Sequence, residues 1–432
     1  VETIHNAERM GINATLQSID FGRLRDFRVS TVETMTKGLT GLLAHRGVTV
    51  FRGCAALQNA HTVRVTPAEG ETQVSRSVEA GVFEPVETEL AIDADDVVLA
   101  TGSRPLALPG NPFAGALIDS TQALELNTLP SSAVIIGAGA VALEFASLWN
   151  AAGCEVTLLI RKDRVLSTWE RRASMTLTRE LKRRGVNVIA RTAVDRVDTG
   201  ANLGATVHYR QGDSDEDRTA YGEVVLAAIG RVPNTDADWF RSSGLKLDER
   251  GYVTVDGYGR TNLDGVWALG DITPGHALAH RAFEQGITIA EKIAGADPKP
   301  VIDDTVPQVV FSFPEAASVG LTLDQAKARE DVVEPKETAY PMLSNARMLM
   351  SGEGGSMTVV SGAFANNPDM QVVLGVHIVS PIASDLIAEA EQLVGNRVPL
   401  ADAARLIHPH PTFSETLGEA LLKADGRPLH TR

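Results

Sequence analysis

The sequence predicts an α/β protein with a parallel sheet in its central part and a separate α+β domain towards its C-terminus. Residues 133–234 read as strand, helix, strand, helix and then further strands, which is the order that builds a parallel sheet. From Pro300 onward, alternating strands are accompanied by only two helices, a pattern typical of an α+β domain. Because 432 residues exceed what one hydrophobic core usually supports, we expect roughly two to four domains.

Composition and charge exclude several classes of function. A formal net charge of −15 argues against a nucleic-acid partner, which needs clustered Lys and Arg. No apolar run reaches the length of a membrane span and no charged-then-apolar leader opens the chain, so no membrane association is predicted. The two cysteines, Cys54 and Cys154, are too few for a disulfide framework, which favours a reducing cytoplasm. Each is expected to be a small, largely buried residue, and no metal site is predicted.

Other elements follow from the spacing of apolar residues. Phe27–Gly47 carries them at helical spacing, and the polar, acidic segment Thr199–Gly222 is expected to form a solvated hairpin. The other predicted helices are His280–Ala294, Ala383–Gly395 and Glu415–Lys423. Strands are predicted at Val48–Phe51, Thr62–Val65, Asp96–Ala100, Tyr252–Val255, Val266–Ala268, Gln308–Phe311, Met357–Val360 and Gln371–Val379.

A glycine-rich turn in the central segment indicates a nucleotide site. The apolar strand Val134–Ile136 runs into Gly137-Ala-Gly139-Ala-Val-Ala142 and a helix, and a second apolar strand follows at Val156–Ile160. Gly137 permits the tight turn, Gly139 lets the backbone approach a pyrophosphate, and Ala142 permits close helix–strand packing. The helix N-terminus then supplies an anion site. The alternative is a glycine-rich turn that holds no ligand.

The end of the second strand selects the nucleotide. A carboxylate there would accept the ribose 2′-OH of NAD, but Ile160 stands at this position and Arg161 follows it. An uncharged residue followed by arginine suits the 2′-phosphate of NADP, so the sequence favours NADP over NAD. The alternative is that Arg161 and Arg164 are solvated loop charges.

Two further turns follow predicted strands. One is Thr101-Gly102 after a buried strand, and the other is Gly270-Asp271 after Val266–Ala268. A Gly-Asp at a strand end can place its carboxylate near a ribityl hydroxyl or near water bound to a pyrophosphate. Each turn alone is equally consistent with a strand-terminating turn, whereas both together, flanking a nucleotide-binding unit, favour a cofactor site.

The segment His408-Pro-His-Pro-Thr-Phe-Ser-Glu415 places an imidazole and a carboxylate at the entry to a helix. A carboxylate that orients His410 would fix its tautomer and raise its basicity, as a general base for a thiol requires. Thr412-x-x-Glu415 also fits a capping box, in which Glu415 folds back onto the Thr412 N–H. The motif alone leaves both interpretations open.

Taken together, these motifs resemble those of the pyridine nucleotide–disulfide oxidoreductases, and the C-terminal motif resembles the dihydrolipoamide dehydrogenase branch. The resemblance runs from Ala7 to the C-terminus. It implies a flavoprotein fold with two dinucleotide-binding, Rossmann-like domains, one for FAD and one for NAD(P), and a C-terminal α+β dimerisation domain. The implied boundaries are 1–127 for an FAD-binding domain lacking its first βαβ unit, 128–238 for the NAD(P)-binding domain, 239–303 for the return segment of the FAD domain and 304–432 for the interface domain.

The resemblance also implies roles for individual residues. FAD contacts are implied for Thr101, Gly102, Gly270, Asp271, Leu278, Ala279 and His280. The nicotinamide domain would contribute Gly137, Gly139, Ala142, Glu144, Arg161 and Gly230. Within that set, Glu144 matches a glutamate that lies beside the flavin and pairs with a lysine. His410 and Glu415 match an acid–base dyad that reaches across a dimer interface to the partner's disulfide, which favours the dyad over a bare capping box.

Two departures from the family pattern stand out. The family opens with a Gly-x-Gly-x-x-Gly turn and a Cys-x4-Cys redox pair, and neither occurs in this sequence. We therefore expect an N-terminally truncated chain that lacks about 40–50 residues. In addition, Ala142 with Ile160-Arg161 resembles the NADPH-using glutathione reductase branch, so the nucleotide motif and the C-terminal motif point to different branches.

The function that the resemblance implies is a homodimeric flavin-dependent dithiol/disulfide oxidoreductase. It would move electrons between a small-molecule or protein-bound dithiol, a cysteine pair, FAD and NAD or NADP. One alternative is an FAD-only NAD(P)H reductase acting on quinones. The other is a non-catalytic, dimerising dinucleotide-binding fragment.

Overall fold

The computed structural model describes residues 1–200 and 204–431 and divides into two compact units. Unit 1 comprises Val1–Ile19, Pro105–Gly230 and Asp304–Arg432, and unit 2 comprises Asp20–Arg104 and Arg231–Asp303. The chain enters unit 1 through a short helix, α1 (Glu2–His5), and a single 3-10 turn at Ala7–Met10.

Unit 2 begins with a long helix followed by short strands. The helix α2 (Phe21–His45) starts six residues before the prediction, because the Asp20 side chain accepts the Arg23 N–H at 3.0 Å and caps it. The strands that follow are β1 (Phe51–Arg52), β2 (Cys54–Asn59), β3 (Thr62–Thr66), β4 (Ser75–Glu79), β5 (Val82–Pro85), β6 (Leu90–Asp93), β7 (Val97–Leu99) and β8 (Ser103–Pro105). They form two antiparallel sheets, ordered β2-β3-β6 and β1-β4-β5, while β7 and β8 pair with later strands.

The central part of unit 1 is the predicted nucleotide-binding fold. Its elements are β9 (Leu117–Ile118), α3 (Ser120–Leu124), β10 (Ser132–Ile136), α4 (Ala140–Ala152), β11 (Glu155–Ile160), α5 (Arg171–Arg183), β12 (Asn187–Ala190), β13 (Thr192–Thr199), β14 (Ala205–Gln211), β15 (Arg218–Gly222) and β16 (Val224–Ala227). A parallel sheet in the order β12-β11-β10-β16-β9 lies at its centre, so the α/β prediction is confirmed. Buried apolar residues on both faces of this sheet explain why its strands read as continuous apolar runs.

The described part of the segment Thr199–Gly222 forms the predicted hairpin, but the prediction that it is solvated is wrong for one of its strands. Residues 201–203 lie outside the described residues, and β14 and β15 form an antiparallel sheet with β13. Ala205, Val207 and Tyr209 alternate along β14 and are buried in the core beneath the parallel sheet. Their period-two alternation was the overlooked signal of a half-buried strand.

The return part of unit 2 holds β17 (Arg231–Pro233), α6 (Trp239–Ser242), β18 (Val266–Ala268) and α7 (Ala279–Ile293). The strand β18 has the predicted bounds and pairs in parallel with β7, while β17 pairs with β8. The strand predicted at Tyr252–Val255 does not form, because the backbone there makes only an isolated bridge between Leu247 and Val253. The core joins these elements through Leu99, Phe240 and Val266.

The C-terminal part of unit 1 is an α+β arrangement, as predicted. Its elements are β19 (Gln308–Val310), β20 (Glu315–Gly320), α8 (Leu323–Ala328), β21 (Val332–Tyr340), α9 (Ala346–Ser351), β22 (Ser356–Phe364), β23 (Asn367–Ser380), α10 (Ala383–Gly395), α11 (Leu400–Ala403) and α12 (Glu415–Ala424). The antiparallel sheet is ordered β19-β20-β23-β22-β21, and α10 and α12 pack against it through a shared apolar core. No helix in the described part of the chain is both long and apolar enough to cross a bilayer.

Candidate functional site

The segment between α11 and α12 brings His410 and Glu415 together. His410 Nδ1 lies 2.6 Å from Glu415 Oε1, and the Thr412 N–H donates to Glu415 Oε2 at 2.7 Å. One carboxylate therefore makes the contact of the dyad and the backward contact of a capping box at the same time. However, α12 begins at Glu415 with Ser414 as its N-cap residue, so Thr412 precedes the helix and does not cap it.

The electrostatics of Glu415 favour its ionised form. Burial by itself would raise its pKa, but hydrogen bonds from the Thr412 N–H and from His410 outweigh burial and hold the pKa of Glu415 below its ordinary value. An ionised carboxylate has no proton to donate, so His410 Nδ1 is the donor and a neutral His410 ring keeps a lone pair on Nε2. The side chain of His410 is 75% exposed, which leaves it accessible to a reactant.

Two further contacts fix this segment, and sequence reasoning missed both. Asn345 Nδ2 donates to the Thr412 carbonyl at 2.9 Å, while the Asn345 side-chain oxygen caps α9 through the Met348 N–H. His408 Nε2 lies 2.9 Å from Glu389 Oε1 on α10. The partners are far apart in sequence, so the only local signals were an asparagine before an apolar helix and a second histidine in the motif.

The glycine-rich turn has the geometry of a dinucleotide site. Gly137 has φ +143°, and a side chain there would overlap the Ala228 carbonyl, so only glycine fits. Gly139 is the N-cap residue of α4 and makes no side-chain cap, and a Cβ on Gly139 would meet no atom within 4 Å. Together with the fully buried Ala142, this leaves open space at the N-terminus of a 13-residue helix, which fits a pyrophosphate.

The residues predicted to determine the preference between NAD and NADP differ in their exposure to solvent. Ile160 ends β11 and is fully buried, whereas the next residue, Arg161, is exposed. The loop after β11 returns to the glycine turn, since the Leu166 N–H donates to the Ala138 carbonyl at 2.9 Å. Arg164 is not a solvated loop charge, because it is only 18% exposed and donates to the Ser167 carbonyl and to Asp163.

Glu144 and Gly230 border the same domain. Burial raises the pKa of Glu144 even though its Oε1 accepts the Phe311 N–H at 3.0 Å. In the contact that the structure gives, the donor to Glu144 is the Phe311 backbone N–H. Gly230 has φ +152°, and its carbonyl accepts the Leu106 N–H at 3.0 Å.

The two strand-end turns of unit 2 lie next to each other, because β7 and β18 are parallel neighbours. Asp271 Oδ2 accepts the Ser103 hydroxyl at 2.5 Å, and Ser103 Oγ in turn accepts Arg231 Nε at 2.7 Å. Gly270, with φ +70°, donates its N–H to Gln285 Oε1 on α7 at 2.8 Å.

The Thr101-Gly102 turn is also tied to Asn234, which follows β17. Thr101 Oγ1 donates to the Asn234 carbonyl and Asn234 Nδ2 donates to the Thr101 carbonyl, both at 2.9 Å. Gly102 has φ +71° and accepts the Asn234 N–H. The structure thus brings the two predicted strand ends together at one edge of unit 2.

The remaining predicted flavin residues lie at the start of α7. Leu278 is the extended N-cap residue and makes no side-chain cap, and Ala279 and His280 form the first turn of the 15-residue helix. Backbone N–H groups at such a helix end attract electron-rich groups of a cofactor.

Residues 2–286 match the family described as pyridine nucleotide-disulphide oxidoreductase. Residues 306–421 match the dimerisation domain of the same family. The chain belongs to this family. Members use FAD and NAD(H), and the C-terminal domain is the family's dimerisation domain, so the protein is a homodimeric flavoprotein oxidoreductase.

Curated relatives extend the likeness over the whole chain. The dihydrolipoyl dehydrogenase of Geobacillus stearothermophilus is 35% identical and covers 99% of this chain and 85% of its own. That of Chlamydia pneumoniae is 31% identical and covers 100% of this chain and 86% of its own. Among solved structures, LpdA from Mycobacterium tuberculosis has a TM-score of 0.81 at 26% identity, covering 97% of this chain and 86% of its own. The flavoprotein disulfide reductase RclA from Escherichia coli, at 23% identity and TM-score 0.78, shares the fold.

The two cysteines are both free thiols and differ in environment. Cys154 is buried as predicted, and burial raises the pKa of its thiol to about 12, so it is protonated at neutral pH and a poor nucleophile. The prediction of a largely buried Cys54 is wrong, because Cys54 begins the exposed strand β2.

Proposed function

We propose that this oxidoreductase is of the dihydrolipoyl dehydrogenase type and oxidises a dithiol, either a small molecule or a lipoyl group carried by a protein. The 2.6 Å contact between His410 and Glu415 carries this proposal, because dithiol oxidation needs a base of fixed tautomer. The alternative reaction, reduction of a quinone, involves no thiol that a base must deprotonate.

In the proposed reaction, His410 Nε2 takes the proton of a substrate thiol and leaves the thiolate, which is the reactive form. Glu415 holds the ring by Nδ1 and stabilises the imidazolium that forms. Bound FAD would carry the electron pair between the family's redox disulfide and the nicotinamide. The exposure of the His410 side chain supports access by a substrate or by the partner subunit.

We also propose the cofactor roles of the residues that the motifs single out. The open helix end at Gly139 would hold the pyrophosphate of the nicotinamide nucleotide, with Gly137 and Ala142 shaping the turn. Arg161 would contact the 2′-phosphate of NADP. The turns at Thr101-Gly102 and Gly270-Asp271 and the start of α7 at Leu278 would hold FAD.

We also propose domain boundaries at 127/128, 238/239 and 303/304. The boundary at 303/304 coincides with the change between units at Asp304, and the boundary at 238/239 follows the change from Gly230 to Arg231. The change between units from Arg104 to Pro105 precedes the proposed boundary at 127/128.

A substitution in the complete, flavin-loaded homodimer tests the proposal. His410→Gln should lower dihydrolipoamide turnover by about 10²–10⁴-fold, the usual contribution of a general base, and leave NAD(P)H-dependent quinone reduction intact. His430→Gln is the matched control, because His430 Nδ1 lies 2.8 Å from Glu419 in a comparable pair outside the motif. Wild-type dithiol turnover in His410→Gln would refute the assignment.

The same assays separate the alternatives. Quinone reduction without dithiol turnover in the unmodified enzyme would favour the FAD-only reductase. Nucleotide binding without flavin or any turnover would favour the non-catalytic dinucleotide-binding alternative.

A further inference from the structure

A second histidine–carboxylate pair lies two residues before His410. His408 Nε2 contacts Glu389 Oε1 at 2.9 Å, and the His408 side chain is only 9% exposed. His410 is 75% exposed, so the two histidines of one motif occupy opposite environments. The proposed function uses the exposed His410 and gives no role to His408 and Glu389.

The position of the His408 ring is fixed by two helices. Glu389 on α10 holds one side by a hydrogen bond, and on the other side the ring lies against Gly418 of α12. A side chain at position 418 would overlap the ring, so the glycine makes room for the imidazole. His408 therefore joins the start of the segment 408–412 to α10 and to α12.

The surroundings of His408 favour the imidazolium form. The hydrogen bond to Glu389 raises the pKa of His408, burial opposes this, and the negative charge of Glu389, the Leu406 backbone and Glu415 all raise it further. The charged groups that face the ring are Glu389 on α10 and Glu415 at the start of α12. A positive His408 in turn lowers the pKa of Glu415, the carboxylate that orients His410.

We propose that His408 and Glu389 form a positioning pair that anchors the segment 408–412 and keeps Glu415 aimed at His410. This inference rests on the proposed function, in which His410 is the base. His408 itself touches no reactant. It acts through Glu415, whose pKa its positive charge lowers.

Two substitutions separate anchoring from charge. Glu389→Gln keeps an oxygen that can accept the His408 Nε2–H and removes only the negative charge, at a side chain that is 36% exposed. His408→Gln removes the ring and the charge together. We therefore expect Glu389→Gln to fold like the wild type even if His408→Gln is impaired.

The readout is the pH profile of kcat/KM for dihydrolipoamide in the flavin-loaded homodimer. Both substitutions should shift this pH profile, because each changes the net charge of the His408–Glu389 pair that faces Glu415. His408→Gln should also lower kcat/KM at the plateau by about tenfold, since a loosened base loses alignment. Quinone reduction by NAD(P)H should stay unchanged in both, and His430→Gln should leave profile and plateau unchanged.

The outcomes distinguish this proposal from the one it rests on. An unshifted profile in Glu389→Gln, together with a large loss in His410→Gln, would overturn the positioning role and leave the proposed function standing. Equal losses of dithiol and quinone turnover in Glu389→Gln and His408→Gln would mean a purely structural pair and would also overturn it. Full dithiol turnover in His410→Gln would overturn both the role of His410 as a base and the positioning role of His408 and Glu389.

Discussion

Glu415 accepts the Nδ1–H of His410 with one carboxylate oxygen at 2.6 Å and uses its second oxygen for the Thr412 N–H at 2.7 Å. The same side chain thus shapes the backbone of the motif and orients the imidazole. Loss of its charge and loss of its hydrogen bonds should therefore have separable effects.

Two substitutions at Glu415 should separate these effects. Glu415→Gln removes the charge and keeps one acceptor oxygen, so it can accept only one of the two N–H groups, and dithiol kcat/KM should fall by about 10–100-fold with a smaller loss of Tm than in Glu415→Ala. Glu415→Ala removes the acceptor of the Thr412 N–H as well and should further cost about 1 kcal/mol of stability. Steady-state kinetics and thermal unfolding measure the two effects. A Tm loss in Glu415→Gln as large as that in Glu415→Ala would contradict this division.

Alanine substitutions at the two glycines of the nucleotide turn should affect different properties, stability at Gly137 and nucleotide affinity at Gly139. Gly137→Ala places a Cβ on the Ala228 carbonyl at φ +143°, so the folded protein should lose about 2 kcal/mol or more. Gly139→Ala meets no atom within 4 Å, so Tm should not change. Its methyl group would instead occupy the space given to the pyrophosphate, and the Kd for the nicotinamide nucleotide should rise at least tenfold. Unaltered nucleotide affinity in Gly139→Ala would place the ligand elsewhere.

Elements with a strong local signal were predictable from the sequence. The helix Ala383–Gly395 and the strand Val266–Ala268 have the predicted bounds, because their apolar spacing is regular. The strands Glu315–Gly320 and Val332–Tyr340 were missed. The first is rich in small residues and the second is mostly polar and contains Pro335, so their pairing depends on neighbours that the local pattern does not reveal.

The contacts of the candidate site also fall into local ones, which the sequence predicts, and distant ones, which it does not. His410 and Glu415 are five residues apart, so their contact follows from the local motif. Glu389 lies 19 residues from His408, and Asn345 lies 67 residues from Thr412, and only the packed domain joins them. The burial of Tyr209 was missed because the segment is polar in overall composition, although apolar residues alternate along its strand.

Arg161 should determine the preference between NADPH and NADH. Removing a charge-assisted contact to a 2′-phosphate costs about 1.5–3 kcal/mol, so Arg161→Ala should lower the ratio of kcat/KM for NADPH over NADH by about 10–100-fold. Lys162→Ala is the matched control, since it removes one positive charge from the neighbouring exposed position. An equal change of the ratio in both variants would indicate a general charge effect. No change in either would leave Arg161 without a role in nucleotide choice.

The His408–Glu389 pair should also make stability depend on pH in a definite direction. The pKa of His408 is raised in the folded protein, so its contribution is complete below the ordinary histidine pKa of about 6.5 and is lost as pH rises through the raised value. The Tm difference between wild type and Glu389→Gln should therefore be largest near pH 6 and shrink towards pH 9. Thermal unfolding of both proteins across this range measures it, with His430→Gln as a control for general histidine effects. A difference that grows with pH would mean that His408 is neutral in the folded protein and that burial, not Glu389, controls its protonation.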